Sequence, residues 1–295
     1  MKKVLHIVGA RPQFIKVNVV INALKNHKRN IKNILLHTGQ HYDKSMSDIF
    51  FKELKLNKPD FNIELVNKSR ISRLSEMILK IDKIIRLKKP DLILIYGDTD
   101  STLAGAITAR KKNIRLVHVE AGMRSYDIKM PEEQNRLVAD KLSDYLITVS
   151  NNSTKNLIKE GNNKKKIFQY GDVMFDSLLQ NKKKISKENY KFIKNPYIFF
   201  TLHRDSNSNH RTIKFIFNQM KKFKVSFFWP LHPKIYKIIK KNRIFVPKNL
   251  IISNPIGYYD TLKLISKSDF VVTDSGGVLR EAYFLKKKNF HFKRK

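Results

Sequence analysis

The 295-residue chain contains no cysteine. This absence excludes disulfide scaffolds, thiolate nucleophiles and cysteine-ligated zinc or iron–sulfur centres. The chain also lacks any run near the roughly 20 apolar residues of a membrane span, and the apolar stretch that follows Met1 is interrupted at Arg11. These absences predict a soluble, cytoplasmic protein that does not insert into a membrane.

Acidic residues are scarce, because 25 Asp and Glu stand against 60 Lys and Arg, a formal net charge of +35. Such a balance is typical of proteins that bind nucleic acid or anionic membranes. Only 14 of the basic residues are Arg, however, and the lysines are scattered along the whole chain. Because arginine is the residue that reads bases and phosphates bidentately, we expect a solvated lysine-rich surface and no specific nucleic-acid partner. A lysine-rich nucleic-acid-binding protein is the alternative outside enzymes.

Short apolar runs alternate with amphipathic segments of about 10 to 15 residues. This alternation indicates parallel strands joined by helices, and it predicts a doubly wound α/β fold. The predicted strands are Val4–Gly9, Asn33–His37, Asp91–Gly97, Arg115–Val119, Tyr145–Val149, Tyr197–Thr201, Val225–Trp229, Leu250–Ser253 and Phe270–Thr273.

The alternation is interrupted once, by a Lys- and Asn-rich stretch that closes with Pro196. We therefore predict a first Rossmann-like domain over 1–180, a linker or crossing segment over 181–196, and a second Rossmann-like domain over 197–295. Two such domains would face each other across a cleft at the carboxyl ends of their strands.

The first polar cluster follows the first strand and reads GARPQFIK from Gly9 to Lys16. It is not the G-x-G-x-x-G fingerprint, so nothing supports a dinucleotide cofactor. Pro12 suits the first helical position, where free backbone N–H groups favour an anion, and Arg11 and Lys16 add charge. An ordinary turn with solvated cations is the alternative.

Carboxylates follow two later strands, Asp98 in GDTDS and Glu120 in HVEAG. If these strands pair, about 4.8 Å apart, the two side chains come close enough for acid and base chemistry. The structural alternatives are that Asp100 or Ser101 is a helix cap and that Arg124 neutralises Glu120. Glu132, at a predicted helix start, adds a third acidic site.

In the second half, His203 and His232 follow successive strands. They lack metal-ligand spacing and an obvious third ligand, so we predict no metal. Ser275, Gly276 and Gly277 lead into a helix that carries Glu281. A Ser-Gly-Gly turn at a helix start presents unhindered backbone N–H groups, which predicts a phosphate site.

Together these motifs resemble the non-hydrolysing UDP-N-acetylglucosamine 2-epimerase family, from Val4 to about Leu285. The family implies two Rossmann-like domains in a glycosyltransferase B-like arrangement, a homodimer and a role in polysaccharide biosynthesis. The motifs that carry the resemblance are GARPQFIK (9–16), HTGQHYD (37–43), GDTDSTLAG (97–105), HVEAGMRS (118–125), PEEQNR (131–136), GDVMFD (171–176), LHR (202–204) and TDSGGVLREA (273–282).

The resemblance also implies residue roles. It makes Asp98, Glu120 and Glu132 the acid and base carboxylates, and His203 a catalytic or diphosphate-contacting residue. It assigns the diphosphate to Arg11, Lys16, Ser275, Gly276 and Gly277, and the ribose hydroxyls to Glu281. It places a second, activating substrate molecule at Gln40, His41, Arg70 and His232.

The implied reaction is epimerisation at carbon 2 of a UDP-linked 2-acetamido sugar, by elimination and re-addition of UDP. It needs carboxylates on both sides of the sugar and no hydride acceptor, which agrees with the missing dinucleotide motif. A UDP-linked diacetamido uronic acid is a second possible substrate. A nucleotide-sugar glycosyltransferase and a hydrolysing 2-epimerase are the alternative enzymes.

The sequence departs from the family pattern in three places. Asp205-Ser206 follows the His-Arg pair where the family usually has Glu-Asn, and Arg280 replaces an acidic residue beside Glu281. Family members also continue well beyond this helix, whereas here KKKNFHFKRK (286–295) ends the chain. We therefore predict an incomplete second domain that lacks its last strand, with a tail outside the fold, exposed apolar surface and weakened activity.

Overall fold

The structure is a computed structural model that describes residues 1–26, 30–40, 53–67, 69–185, 196–202 and 207–292. The chain divides into two compact units, Met1–Ser177 and Leu178–Lys295. The predicted first domain, 1–180, and the first unit both end inside one helix, Val173–Ile185. Most of the predicted linker, 181–196, lies outside the described residues.

The first unit is built on a seven-stranded parallel sheet with the order β3-β2-β1-β4-β5-β6-β7. Its strands are β1 Lys2–Val8, β2 Ile31–His37, β3 Phe61–Asn62, β4 Leu92–Tyr96, β5 Arg115–Ala121, β6 Tyr145–Thr148 and β7 Ile167–Gln169. The helices that begin in it are α1 Arg11–Lys25, α2 Arg70–Lys88, α3 Asp100–Lys111, α4 Pro131–Leu142, α5 Asn151–Lys159 and α6 Val173–Ile185. This doubly wound order confirms the fold class predicted for this half of the chain.

Local sequence explains these elements. The run Leu92–Tyr96 is apolar on both faces and almost entirely buried, as a central strand of a parallel sheet must be. Helix α1 carries Pro12 in its first turn, and Ser69 caps α2 by accepting from the Ser72 N–H. No helix in the described ranges is both long and apolar enough to cross a membrane.

Strand order reverses between β1 and β4, because β1 pairs with β2 on one side and with β4 on the other. The loops that leave two such strands diverge to opposite faces of the sheet and open a crevice at their carboxyl ends. Gly9 and Gly97 follow these two strands directly. The fold therefore places GARPQFIK and GDTDS at the position where doubly wound sheets bind ligands.

The second unit has a five-stranded parallel sheet with the order β10-β9-β8-β11-β12, so its reversal lies between β8 and β11. Trp229 is fully buried in its core, with the Phe200 ring 4.7 Å and the Phe217 ring 6.2 Å away, centroid to centroid. Its strands are β8 Tyr197–Thr201, β9 Ser226–Pro230, β10 Leu250–Ser253, β11 Phe270–Thr273 and β12 Lys288–His291. Its helices are α7 His210–Met220, α8 Pro233–Lys241, α9 Tyr258–Lys267 and α10 Gly276–Phe284.

The predictions that the tail lies outside the fold and that the second sheet lacks the strand after α10 are wrong. Residues Lys288–His291 form β12, which pairs in parallel with β11 and places His291 opposite Thr273. The Phe292 N–H donates to the Thr273 carbonyl at 2.8 Å, and the Phe292 side chain packs against the core. An edge strand needs only backbone hydrogen bonds on one side, so its mostly exposed side chains carry little apolar signal in the sequence.

A buried histidine in the first sheet gives a testable acid sensitivity. His6 Nε2 donates to Asn33 Oδ1 at 2.9 Å, and Nδ1 shares a hydrogen bond with the Tyr96 hydroxyl at 2.7 Å. Burial lowers the pKa of His6 to about 4, and the hydrogen bond that His6 donates to Asn33 opposes this shift only in part. The unfolded chain therefore takes up this proton near pH 6.5, and the folded protein takes it up only near pH 4.

We expect the free energy of unfolding to fall as pH drops from about 6.5 to 4, with His6 contributing about 3 kcal/mol of the loss. Urea unfolding across this range measures the slope, and the His6→Gln variant should lack this part of it. NMR titration of the His6 ring supplies the direct check. A midpoint near the ordinary value for histidine would contradict the prediction.

Candidate active site

Glu120 lies at the end of β5 in an unusual backbone conformation. Its φ is +76°, and the pairing of β5 with β6 shifts register between Val119 and Ala121, which marks a β-bulge. A non-glycine residue in the left-handed region costs of order 1 kcal/mol or more, and such strain is concentrated at functional sites. The bulge turns the Glu120 side chain into a buried position, where 4% of it is exposed.

Lys16 provides the counter-charge for Glu120. Its ammonium Nζ lies 2.5 Å from Glu120 Oε2, and only 5% of the lysine side chain is exposed. The same Nζ lies 3.1 Å from the position that a Cβ on Gly97 would occupy. Lys16 thus reaches from helix α1 to the ends of β4 and β5, and the sequence did not predict this ion pair.

Asp98 follows β4, directly after Gly97, whose φ is +65°. Tyr96 lies opposite Val119, and the Gly97 N–H donates to the Val119 carbonyl at 3.0 Å, so β4 and β5 are neighbours as expected. The Asp98 carboxylate accepts a hydrogen bond from Arg136 and keeps 29% of its side chain exposed. A carboxylate that is oriented and still accessible can exchange a proton with a bound molecule.

Two adjacent acidic residues at the start of α4 have different environments. Glu133 is buried and accepts from the Ser125 N–H at 2.9 Å and from the Tyr126 N–H at 3.1 Å. Burial raises the pKa of Glu133, but these donors outweigh it and hold the pKa below its usual value. Glu132 is half-buried and makes no hydrogen bond to the described residues, while its charge helps to raise the pKa of Arg70. Glu133 therefore holds the loop at Ser125 and Tyr126 in place, whereas the Glu132 carboxylate is available to a bound molecule.

Gln13 joins the two loops of the switch point. Its Oε1 accepts from the Gly9 N–H at 2.7 Å and the Ala10 N–H at 3.0 Å, and its Nε2 donates to the Tyr96 carbonyl at 2.5 Å. The side chain is 1% exposed. The first turn of α1 is thus fixed against the end of β4. Arg11 begins this helix, and its side chain lies outside the described part of the chain.

Two of the residues predicted to bind an activating molecule, Gln40 and Arg70, lie together at the start of α3. Gln40 Oε1 accepts from the Ser101 N–H at 3.0 Å, and Arg70 donates to Asp100 at 2.6 and 3.1 Å, so both hold the start of α3. His232, on the second unit, caps α8 by accepting from the Lys234 N–H at 3.2 Å. His41 lies outside the described residues.

Two structural alternatives raised by the sequence are wrong. The cap of α3 is Thr99, whose side chain accepts from the Thr102 N–H, and Asp100 and Ser101 are its first helical residues. Arg124 does not neutralise Glu120. It pairs instead with Asp140 at 2.7 Å and Glu160 at 2.6 Å.

In the second unit, the Ser-Gly-Gly turn starts α10 directly after β11. Ser275 caps the helix, and its N–H donates to the Thr273 hydroxyl at 3.0 Å. A Cβ at Gly276 would meet no atom within 4 Å, so open space lies beside the helix start. Free N–H groups facing open space are the arrangement that binds phosphate oxygens. His203, predicted to be a catalytic or diphosphate-contacting residue, is outside the described residues.

Glu281 lies further along α10 and is 5% exposed. Burial raises its pKa to about 8, although Arg280 acts in the opposite direction. This carboxyl group is therefore protonated at neutral pH in the free protein. Within the described ranges, no group of three or more His, Asp or Glu side chains is placed to hold a metal ion.

Two doubly wound parallel sheets define an α/β protein with two Rossmann-like units. One carries carboxylates after β4 and β5, and the other carries a glycine-rich helix start after β11. The sequence profile described as UDP-N-acetylglucosamine 2-epimerase matches residues 22–292. The chain belongs to the UDP-N-acetylglucosamine 2-epimerase family, which confirms the family and fold class predicted from the sequence.

Individual relatives agree over most of the chain. A UDP-N-acetylglucosamine 2-epimerase homolog of Methanococcus maripaludis is 42% identical over an alignment of 295 positions, which covers 96% of this chain and 82% of the relative. The UDP-2,3-diacetamido-2,3-dideoxy-D-glucuronate 2-epimerase of Pseudomonas aeruginosa is 37% identical, covering 97% and 81%. The crystal structure of Methanocaldococcus jannaschii UDP-GlcNAc 2-epimerase in complex with UDP-GlcNAc and UDP superposes with a TM-score of 0.90 at 35% identity, covering 98% and 83%.

Proposed function

We propose that this protein epimerises carbon 2 of a UDP-linked 2-acetamido sugar, with UDP-N-acetylglucosamine as the first substrate to test. The observation that carries the proposal is the pair of turns at the ends of β4 and β5. One presents the accessible carboxylate of Asp98, and the other presents the buried carboxylate of Glu120 beside Lys16. Membership of the family supports the proposal.

The proposed reaction has two halves. A carboxylate removes the proton at carbon 2, the C–H electrons form a C1–C2 double bond, and the C1–O electrons leave with UDP. In the return half, a carboxylic acid protonates carbon 2 from the opposite face, and a UDP oxygen bonds again to carbon 1. Asp98, Glu120 and Glu132 are proposed for these proton transfers, and His203 for catalysis or diphosphate contact.

We assign the UDP moiety to two groups of residues. Arg11 at the start of α1 and Lys16, which lies in its second turn and pairs with Glu120, are proposed to contact the diphosphate. The backbone N–H groups of Ser275, Gly276 and Gly277 supply donors at the start of α10. Glu281, on the same helix, is proposed to accept the ribose hydroxyls. Diphosphate is the leaving group, so donors that stabilise its charge accelerate the elimination as well as binding UDP.

A deuterium experiment tests the function. We expect the purified protein to convert UDP-N-acetylglucosamine in deuterated water into its manno epimer, with deuterium at carbon 2 in both sugars. Free N-acetylmannosamine with UDP would identify a hydrolysing enzyme, and UDP release that needs an added acceptor would identify a glycosyltransferase. A folded sample that gives no exchange would contradict the proposal for this chain.

The sugar is the least constrained part of the proposal. Relatives named for UDP-N-acetylglucosamine and for UDP-2,3-diacetamido-2,3-dideoxy-D-glucuronate are 36% and 37% identical to this chain, so identity does not rank the two substrates. Measuring kcat/KM for both sugars decides between them. The higher value identifies the substrate whose transition state the site binds better.

Arg11→Ala is expected to raise the Kd of UDP about tenfold or more, because a charge-assisted hydrogen bond contributes about 1.5–3 kcal/mol. Isothermal titration calorimetry measures this change. Lys25→Ala is the matched control, since Lys25 is an exposed cation in the last turn of the same helix. Equal losses in both variants would indicate general attraction by the basic surface and would contradict a specific contact.

Four broader proposals accompany this assignment. The protein is proposed to act as a homodimer in the cytoplasm, in a pathway of polysaccharide biosynthesis. A second, activating substrate molecule is proposed at Gln40, His41, Arg70 and His232. Sedimentation velocity tests the dimer, and loss of sigmoidal substrate dependence in Arg70→Ala tests the activating site.

A further inference from the structure

A single buried carboxylate, Asp140 on α4, links the two turns that carry the candidate catalytic carboxylates. The side chain is 1% exposed, and both of its oxygens are occupied. Oδ2 accepts from the Gly122 N–H at 3.1 Å, just beyond Glu120 and Ala121. Oδ1 lies 2.6 Å from Nδ1 of His118.

His118, on β5, connects Asp140 to the end of the neighbouring strand β4. The imidazole is fully buried, and its Nε2 lies 2.7 Å from the Gly97 carbonyl oxygen. A carboxylate and a carbonyl are both acceptors, so each ring nitrogen faces an oxygen that can take a hydrogen bond from it. The Gly97 carbonyl belongs to the same planar peptide as the Asp98 N–H, so holding that oxygen fixes the direction in which the chain enters Asp98.

Each turn contains a glycine with a positive φ. Gly97 and Gly122 have φ values of +65° and +76°, and a Cβ at Gly122 would overlap the Ser153 carbonyl. Glycine has wide conformational freedom, so hydrogen bonds from outside each turn determine which geometry it keeps. His118 and Asp140 supply two of these bonds, beside the Asn135 amide on the Asp98 carbonyl and the Asn156 amide on the Gly122 carbonyl, both at 2.9 Å.

The charge of Asp140 is compensated, because Arg124 donates to Asp140 Oδ2 at 2.7 Å and also to the partly exposed Glu160 at 2.6 Å. Burial raises the pKa of Asp140, but its interactions with His118 and Arg124 outweigh burial and hold the pKa below its usual value. The buried members of this network are Asp140, His118 and Arg124. They hold one another rigidly, because moving one leaves a buried polar group of another without its partner.

We propose that Asp140 and His118 are positioning residues for epimerisation, which together fix the spacing of the turns carrying Asp98 and Glu120. The inference rests on the proposed function and adds residues that never touch the sugar. Elimination and reprotonation on opposite faces need two carboxylates at a set separation. A displacement near 1 Å in such a geometry lowers the rate by about 10²-fold.

The test compares His118→Gln and Asp140→Asn with Glu160→Gln. The first two break the link to the turns, whereas the third removes a charge from the same cluster and contacts neither turn. We expect kcat to fall about 10²-fold in the first two, with KM and the Kd of UDP within about threefold of wild type. In Glu160→Gln, kcat should stay within about twofold.

Crystal structures of the variants supply a readout that does not depend on activity. The Gly97 carbonyl and the Asp98 carboxylate should move by about 0.5 Å or more in His118→Gln and stay in place in Glu160→Gln. If wild type is inactive, the proposed function fails, and this displacement alone decides the inference. Should His118→Gln not fold, Asp140→Asn, which keeps the side-chain volume, provides the same comparison. Unmoved turns, or an equal loss of kcat in all three variants, would overturn the inference.

Discussion

Glu120→Gln is expected to lower deuterium exchange at carbon 2 by about 10²- to 10⁴-fold, while the Kd of UDP stays within about threefold. The amide keeps the size of the side chain but can neither take nor give the proton that the reaction moves. Because the substitution leaves the diphosphate donors of α1 and α10 in place, binding of UDP should survive. Mass spectrometry of the recovered sugar measures the exchange, and calorimetry measures the affinity.

Glu120→Gln also affects folding stability, and this effect must be measured separately from the effect on catalysis. Lys16 and Glu120 are 5% and 4% exposed, so removing one partner leaves the other charge buried and uncompensated. Breaking a buried pair in this way costs about 3–5 kcal/mol of folding stability. We therefore expect Glu120→Gln and Lys16→Met to be destabilised individually, and the double variant to recover a large part of that loss.

The double variant separates the loss of folding stability from the loss of activity. Because Lys16 is also proposed to bind the diphosphate, the Kd of UDP is measured for the double variant and for Lys16→Met alone. A double variant that regains the urea midpoint of wild type, binds UDP and still gives no exchange has lost chemistry and not structure. Asp98→Asn is the companion variant, since Asp98 is partly exposed and its loss should affect stability less. Full exchange by Glu120→Gln would rule out Glu120 as an acid or base.

The sequence was sufficient to locate the candidate carboxylates, because a parallel sheet brings the carboxyl ends of its strands to one edge. Asp98 and Glu120 each follow a buried apolar run, and β4 and β5 pair as that rule requires. The resemblance to the family selected Glu132, and not Glu133, as the third candidate carboxylate. In the structure, Glu133 is engaged by the loop at Ser125, whose N–H donates to its carboxylate.

The partners of these residues could not be predicted from the sequence. The pairing of Lys16 with Glu120, and that of His118 with Asp140, joins positions distant in the chain, and only packing decides which charges meet. Arg124 illustrates the error: it is the cation nearest to Glu120 in sequence, yet it turns to Asp140. Strand β12 was missed for a different reason, because backbone pairing at a sheet edge leaves no apolar pattern to recognise.

Glu281→Gln is expected to stabilise the protein at alkaline pH by a few kcal/mol. The pKa of Glu281 is raised from 4.5 to about 8 by burial, so the folded state holds a proton that the unfolded chain releases near pH 4.5. The unfolded state binds fewer protons over this window, and the free energy of unfolding therefore falls as pH rises from 4.5 to 8, by at most about 5 kcal/mol. Glutamine stays neutral and should remove this decline, which urea unfolding at pH 6 and pH 9 measures.

The same group should make UDP binding depend on pH. Ribose hydroxyls donate to the carboxylate form, so binding at pH 7 must release the proton that burial holds on Glu281. We expect the Kd of UDP to fall up to about tenfold per pH unit between 6 and 8, with proton release seen by calorimetry in buffers of different ionisation enthalpy. Glu281→Gln should bind UDP more weakly and without proton release. Identical pH profiles for wild type and Glu281→Gln would show that Glu281 does not bind the ribose. Its burial would then affect folding stability only.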